Sequence, residues 1–447
     1  MRALAQMSPE PVDLLIEARW LLPIAPVNTV LAEHAVAISS GQILALGPVE
    51  PMRQRFEARE RVVRAHHALL PGLVNAHTRA AARLLRGLPV HGPLLKWQSE
   101  TLMPAEQRSA SPDFARDGAK LAIAEMLRAG MTAFADLHWF PEEVARVASS
   151  ARMRAAVGLP VADRPSHRAD GATAYLARAE RLWDEYQSDP WVSPYFAPLG
   201  ADISDDTLAR VRRVADELDA RLAMSVHESL VEVRDSLARY GRRPLHRLRE
   251  LGLLRPGFTA IHMSALEAED LDVVEASRIS VVACPQSDLR LGSGICPTRE
   301  LLARAIAVGL GSGDPVAVGA LDVLAEARAA ALGAGLLPER GPLAAEDVLY
   351  MATLGGALAS GLGAEAGSVE PGKAADLVCF DLRDPGCEPV LRPADSIVFG
   401  ATRSQASDVW LSGRAAVSGG RLLAFDEREL HGLEQQWIRR LRRGIDQ

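Results

Sequence analysis

Pro71-Gly72-Leu73-Val74-Asn75-Ala76-His77-Thr78-Arg79 is the stretch on which the reading of the fold turns. A Pro-Gly turn leads into a short apolar run, and the run ends in a polar tip that carries an imidazole. Apolar runs of about 4–8 residues bounded by turn signals read as strands buried on both faces, the kind found in parallel sheets. Seven further runs share this texture: Thr132–Asp136, Arg154–Leu159, Pro194–Pro198, Leu222–Val226, Phe258–Ile261, Ile279–Ala283 and Ala307–Gly311. Helical stretches separate most of them, with Asp113–Ala129 and Leu208–Ala220 the clearest. Eight strand–helix units predict an α/β chain folded as a (β/α)8 TIM barrel, whose chemistry sits at the C-terminal strand ends. His77 and Arg79 lie at such an end.

Working outward, both ends of the chain read differently. Val36-Ala37-Ile38 and Ile43-Leu44-Ala45-Leu46 flank Ser39-Ser40-Gly41-Gln42 and read as a hairpin. Ala375–Phe380 and Asp408–Leu411 repeat that texture near the C-terminus. The expectation is a small β-sandwich domain from both termini (1–68 and 365–425), a barrel over 69–364 and a C-terminal helix over 426–447. His66-His67 and His91 read as loop residues.

Composition excludes several function classes. Of the 447 residues, 48% are hydrophobic and 24% charged, ordinary globular values. The net charge of −7 offers no basic field, so no nucleic-acid partner is expected. Cys284, Cys296, Cys379 and Cys387 form no CxxC pair and suit a reducing compartment. Met1–Asp13 lacks a charged start followed by a long apolar run, and no apolar stretch reaches membrane-spanning length. A cytoplasmic protein with no membrane partner is expected.

The Pro71–Arg79 stretch resembles the strand-1 signature of the amidohydrolase superfamily. Leu84-Leu85-Arg86-Gly87, Trp97 with Pro104-Ala105-Glu106, Ala124–Leu127, Ala260–Met263, Leu291–Pro297, Met351-Ala352-Thr353 and Gly367–Asp376 narrow the likeness. They point to the TRZ/ATZ-type branch, similar to S-adenosylhomocysteine/5′-methylthioadenosine deaminases and chlorohydrolases. That resemblance implies a homodimer, a small-molecule ligand and one divalent metal, usually zinc, whose bound water reaches a pKa of about 7. In the family pattern the ligands are both histidines of His-x-His on strand 1, the first histidine of His-x-His-Glu on strand 5, and an aspartate after strand 8. A strand-5 glutamate moves protons and a strand-6 histidine contacts the water.

Residue by residue, the chain departs from this pattern. His77 matches the first ligand, while Arg79 stands at the second and Ser225 at the third. Glu228 and His262 match the proton shuttle and the water-contacting histidine. After strand 8, Gly313 takes the ligand position and Asp314 lies one residue late. Leu199 and Ala283 replace two histidines that would face substrate. A guanidinium stays protonated and cannot ligate a metal, so no cofactor is expected, with one weakly bound zinc as the alternative. Arg79 is expected to pair instead with Glu228, Asp314 or both. Strand alternation turns His227 away from the barrel axis. The first functional expectation is a family homologue impaired in hydrolysis that binds a small heterocycle. The alternative is an active hydrolase or deaminase on non-peptide C–N bonds of a purine-like heterocycle, with a rearranged site of His77, His262, Glu228 and Asp314.

Overall fold

The computed structural model describes residues 8–166, 169–200, 203–336 and 341–445. Met1–Met7, part of the segment read for a leader, lie outside the described residues. Eight parallel strands pair in chain order: Leu73–Thr78, Met131–Asp136, Arg154–Val161, Val192–Pro198, Leu222–Val226, Phe258–His262, Ser280–Ala283 and Val308–Leu310. A parallel bridge between Thr78 and Gly313 brings the last strand back to the first. All eight sequence-derived strands are therefore present, in an α/β TIM barrel. The first three are buried at every position, as expected of parallel strands covered on both faces.

Local chemistry explains why the helices start where they do. Ser111 accepts a hydrogen bond from Phe114 N, and Pro112 occupies the first turn of Pro112–Arg128. That helix buries Phe114, Leu121, Ile123 and Leu127 against the barrel. Ser204 and Ser229 cap Asp205–Glu217 and Leu230–Tyr240 in the same way.

Both chain ends build a second sheet of eight strands. Its order is Arg421–Leu422, Arg414–Ser418, Ala406–Leu411, Leu377–Asp381, Phe56–Pro71, Glu10–Leu21, Leu31–Ser39 and Gln42–Pro48. The predicted hairpin is there. Ser40 (φ 52°) and Gly41 (φ 80°) supply the two positive dihedrals that a tight right-twisted hairpin needs. His66 and His67, read from sequence as loop residues, instead lie within the strand Phe56–Pro71. His67 pairs in register with Asp381, and tertiary pairing outweighs a locally polar sequence. The two sheets meet at the N-terminal side of the barrel. There Arg154 Nε donates to Asp376 Oδ2 at 2.8 Å, and Gly72 N donates to Asp376 O at 2.9 Å. The opposite, C-terminal mouth of the barrel is left for chemistry.

Candidate functional site

Strand 1 and the loop after strand 8 are laced together. Ser312 N donates to Asn75 Oδ1 at 2.9 Å, Asn75 Nδ2 donates to Ser312 Oγ at 2.8 Å, and Gly313 N donates to His77 O at 3.0 Å. These buried bonds fix Gly313 at φ 63°, in the left-handed region that favours glycine. A Cβ there would lie 3.1 Å from Ser287 Cβ. The chain thus reaches Asp314 at a set position. Its Oδ1 accepts from Val316 N at 2.8 Å and its Oδ2 accepts from Arg79 Nη1 at 2.8 Å. Arg79 Nη2 reaches Glu106 Oε1 at 2.5 Å. The side chains of Arg79, Asp314 and Glu106 are 20%, 10% and 8% exposed, so this is a largely buried three-member clamp. Asp136 lies behind it. Its Oδ1 accepts from Ala80 N at 2.6 Å, and burial, opposed by that bond and by Arg79, lifts its pKa to about 7.

Arg79 pairs with one of the two carboxylates expected for it. Asp314 is a partner. Glu228 is not, and Glu106 takes its place. The reason is topological: Glu228 lies just past the end of strand 5, across the mouth, where His262 is nearer. Glu106 comes from a helix that follows strand 1 and leans over it.

Across the mouth a second cluster forms at the ends of strands 5 to 7. Glu228 Oε1 lies 3.5 Å from His262 Nε2, and His262 Nδ1 lies 2.7 Å from Asp288 Oδ1. Burial alone would lower the pKa of His262, but the Glu228 and Asp288 carboxylates outweigh it and raise it to about 9. Burial pushes Glu228 up from the usual carboxylate range, while His262 pulls against the shift. The backbone here is held in unusual conformations, with His227 at φ 53°, His262 at 75° and Met263 at 57°. Each such residue costs on the order of 1–3 kcal/mol, and such strain concentrates at functional sites. Ser229 and Glu232 stabilise the turn: Glu232 accepts from His227 N at 3.0 Å and from Glu228 N at 2.7 Å. His227 points away from the mouth as expected. It is fully buried, bonding Ala265 O at 3.0 Å and accepting from Leu245 N at 3.3 Å.

The remaining sequence-derived positions fall between or beside these clusters. His77 makes an edge-on contact with His262 at 5.9 Å between ring centres, and its buried Nδ1 has no hydrogen-bond partner. Burial, then the neighbouring His262 and Arg79, drive its pKa to about 3, so it stays neutral. His138 is also neutral, its pKa lowered to about 3 by burial first and then by Arg79. Ser225 is the one half-buried residue of Leu222–Val226. Leu199 is half-buried and donates its backbone N–H to Val161 O at 2.8 Å, and Ala283 is fully buried. Sequence reasoning missed Glu106 and Asp288 as site residues. Both carried a signal: Glu106 closes the Trp97…Pro104-Ala105-Glu106 match, and Asp288 stands on the first turns after strand 7.

These residues do not fit a divalent cation. His77 is buried between Arg79 and His262, both of which oppose a positive charge on it. Asp314 is occupied by a guanidinium, and both His262 nitrogens face carboxylates. Among the described residues, no group of three or more His, Cys, Asp or Glu side chains converges so as to hold a metal ion. A fixed positive charge within 3 Å of Asp314 opposes entry of another cation.

The model of the family described as "Amidohydrolase family" matches residues 68–416. The chain belongs to the amidohydrolase family. Within it, this member is 35% identical over 432 residues to a 5-methylthioadenosine/S-adenosylhomocysteine deaminase of Teredinibacter turnerae, covering 96% of this chain and 98% of that one. A protein of the same name from Syntrophobacter fumaroxidans is 36% identical over 422 residues, 94% of this chain and 96% of its own. Among solved structures, an adenosine deaminase from Xanthomonas campestris with bound zinc superposes with a TM-score of 0.95 at 39% identity. That match covers 97% of this chain and 100% of the other. An atrazine chlorohydrolase from Arthrobacter aurescens complexed with zinc shares the fold at a TM-score of 0.87 and 22% identity, over 95% of this amidohydrolase and 100% of that chain. These likenesses favour the hydrolase or deaminase expectation over the impaired homologue. Among the described residues, no helix is long and apolar enough to cross a membrane.

Proposed function

We propose that this amidohydrolase is a hydrolase of the deaminase type, acting on a non-peptide C–N bond of a purine-like heterocycle through Glu228 and His262. The Glu228–His262–Asp288 arrangement carries the reading. Near end-to-end similarity to relatives named 5-methylthioadenosine/S-adenosylhomocysteine deaminase supports the substrate class. Water adds to the ring carbon that bears the amino group, and its proton passes to the Glu228 carboxylate. The His262 imidazolium gives its Nε2 proton to the departing nitrogen, which leaves as ammonia. Asp288 holds the imidazole through Nδ1 and favours its charged form. No step runs through a metal, because the donor set does not fit one. General acid–base catalysis supplies about 10²–10⁴-fold, so turnover is expected to be slow.

A second reading, a ligand-binding homologue impaired in hydrolysis, is favoured by one observation: Asp314 is engaged by the Arg79 guanidinium rather than free to hold a water-activating cation. Ammonia release from adenosine, 5′-methylthioadenosine and S-adenosylhomocysteine separates the two. Turnover that survives chelation and disappears in Glu228→Gln supports hydrolysis through the acid–base pair. Turnover abolished by chelation overturns the metal-free route. Binding of the same nucleosides with no ammonia release selects the second reading.

A further inference from the structure

We infer that Glu232 and Glu326 are positioning residues: neither touches the reacting atoms, and each sets one of the two carboxylates that flank His262. Their role rests on the reading of Glu228 and His262 as the acid–base pair, and extends it to the groups that aim them.

Glu228 follows strand 5 on a turn whose backbone is strained at His227, φ 53°. The chain has left the sheet there, and the amides of His227 and Glu228 need other partners. One side chain takes both. Glu232 Oε1 accepts from His227 N at 3.0 Å, and its Oε2 accepts from Glu228 N at 2.7 Å. Ser229 caps the helix Leu230–Tyr240 and accepts from Glu232 N at 3.3 Å. Ser229-Leu230-Val231-Glu232 has the spacing of a capping box, in which the glutamate reaches back to the amide of the cap residue. Here it reaches past Ser229 to the two residues before it, and one of them is Glu228. A plain helix cap has no need of that longer reach.

Asp288 has a matching support from further along the chain. It stands on the helix Pro285–Leu291. Gln286, two positions earlier, donates its backbone N–H to Glu326 Oε2 and its side-chain Nε2 to Glu326 Oε1, at 2.9 Å each. Glu326 is fully buried, on the helix Val323–Ala334 that follows strand 8. A buried carboxylate is costly unless its oxygens are bonded, and both Glu326 oxygens are spent on this one residue. The tie fixes the first turn of the strand 7 helix, and with it the 2.7 Å approach of Asp288 to His262 Nδ1. At a reacting group, a misplacement of about 1 Å can cost about a hundredfold in rate. The two supports belong to different elements, so either can be removed with the other in place.

The test uses Glu232→Gln and Glu326→Gln in the full chain. Each keeps the side-chain volume and turns one accepting oxygen into an amide nitrogen that faces a donor. In ammonia release, kcat is expected to fall about tenfold in each, with KM within about twofold. Ser111→Ala, which removes a helix cap away from both turns, gives the kinetic effect of a simple loss of stability, read beside the thermal midpoints. Glu326→Gln should add almost nothing once Asp288→Asn is present. Amide hydrogen exchange over residues 226–230 should speed up in Glu232→Gln. A fall in kcat that Ser111→Ala reproduces at a matching midpoint overturns the inference. So does full additivity of Glu326→Gln on Asp288→Asn, or unchanged exchange over residues 226–230. A wild type that releases no ammonia overturns the proposed reaction instead. The low-field Nδ1 proton of His262, assigned by its absence in His262→Gln, then decides the placement: its loss in Glu326→Gln upholds the support of Asp288, and its retention overturns it.

Discussion

The two halves of the barrel mouth have the same raw materials and use them in opposite ways. On the strand 1 and strand 8 side, the Arg79 guanidinium is saturated by Asp314 and Glu106 at 2.8 and 2.5 Å. On the strand 5 to 7 side, the titratable His262 sits between Glu228 at 3.5 Å and Asp288 at 2.7 Å. Arginine cannot release a proton, so the first half is an electrostatic brace. Histidine can, so the second half is able to move protons. One mouth thus carries a saturated guanidinium on one side and a titratable imidazole between carboxylates on the other. The lacing of strand 1 to Ser312 and Gly313 keeps the brace in place, and the strained turns at His227 and His262 keep the relay in place.

The contrast can be broken or sharpened by measurement. The largest effect is expected from Glu228→Gln, which should lower kcat by about 10²–10⁴-fold while leaving the thermal midpoint nearly unchanged. A small kinetic effect would remove Glu228 from the chemistry. Arg79→Met should act the other way, on stability first, because it leaves two buried carboxylates uncompensated. The loss should be about 3–5 kcal/mol in urea unfolding. Adding Asp314→Asn and Glu106→Gln should recover much of it, and a single-variant loss under about 1 kcal/mol would reduce the clamp to an ordinary surface pair.

Asp288→Asn should be milder and diagnostic. One of the three carboxylates that raise His262 is gone, so its pKa falls from about 9 and the alkaline limb of the kcat profile moves to lower pH. An unmoved limb would show that Asp288 does not act through His262.

Stability against pH should carry both signatures. His262 is raised above its unfolded value of about 6.5, so its contribution is complete below that pH and fades as pH rises through about 9. His77 and His138 are depressed to about 3, so their contribution is present above about 6.5 and is lost as pH falls below it. Thermal midpoints of wild type, His262→Gln and His77→Gln between pH 4 and 10 check the two limbs separately.

The smallest effect belongs to Gly313→Ala. A positive φ and a 3.1 Å contact with Ser287 should cost about 1–2 kcal/mol. Calorimetry showing no loss would mean that the strand 8 loop yields, and that Asp314 is not held as rigidly as its bonds imply.

Much of this molecule is legible in one dimension. Short doubly buried strands leave contiguous apolar runs, and turn residues punctuate them. That is why all eight barrel strands, the Ser40-Gly41 hairpin and the β-rich ends can be read directly. Register at the strand ends also follows from period-two alternation, which places His227 in the core and Glu228 at the mouth. That Arg79, Ser225 and Gly313 are an arginine, a serine and a glycine is equally plain, because residue type is given directly.

Pairing across the mouth is a different matter. Arg79 could have met Glu228, Asp314 or both by charge alone. The choice of Asp314 and Glu106 depends on the lean of a helix 27 residues downstream and on a loop laced to Asn75. Asp288 reaches His262 because the helix after strand 7 begins where it does. Such contacts join residues far apart in the chain through distances of a few ångströms, and side-chain electrostatics falls off on that scale. Local sequence therefore determined which charges are present and which strand ends bear them. Only the folded barrel decided which charge faces which, and with that the split between brace and relay.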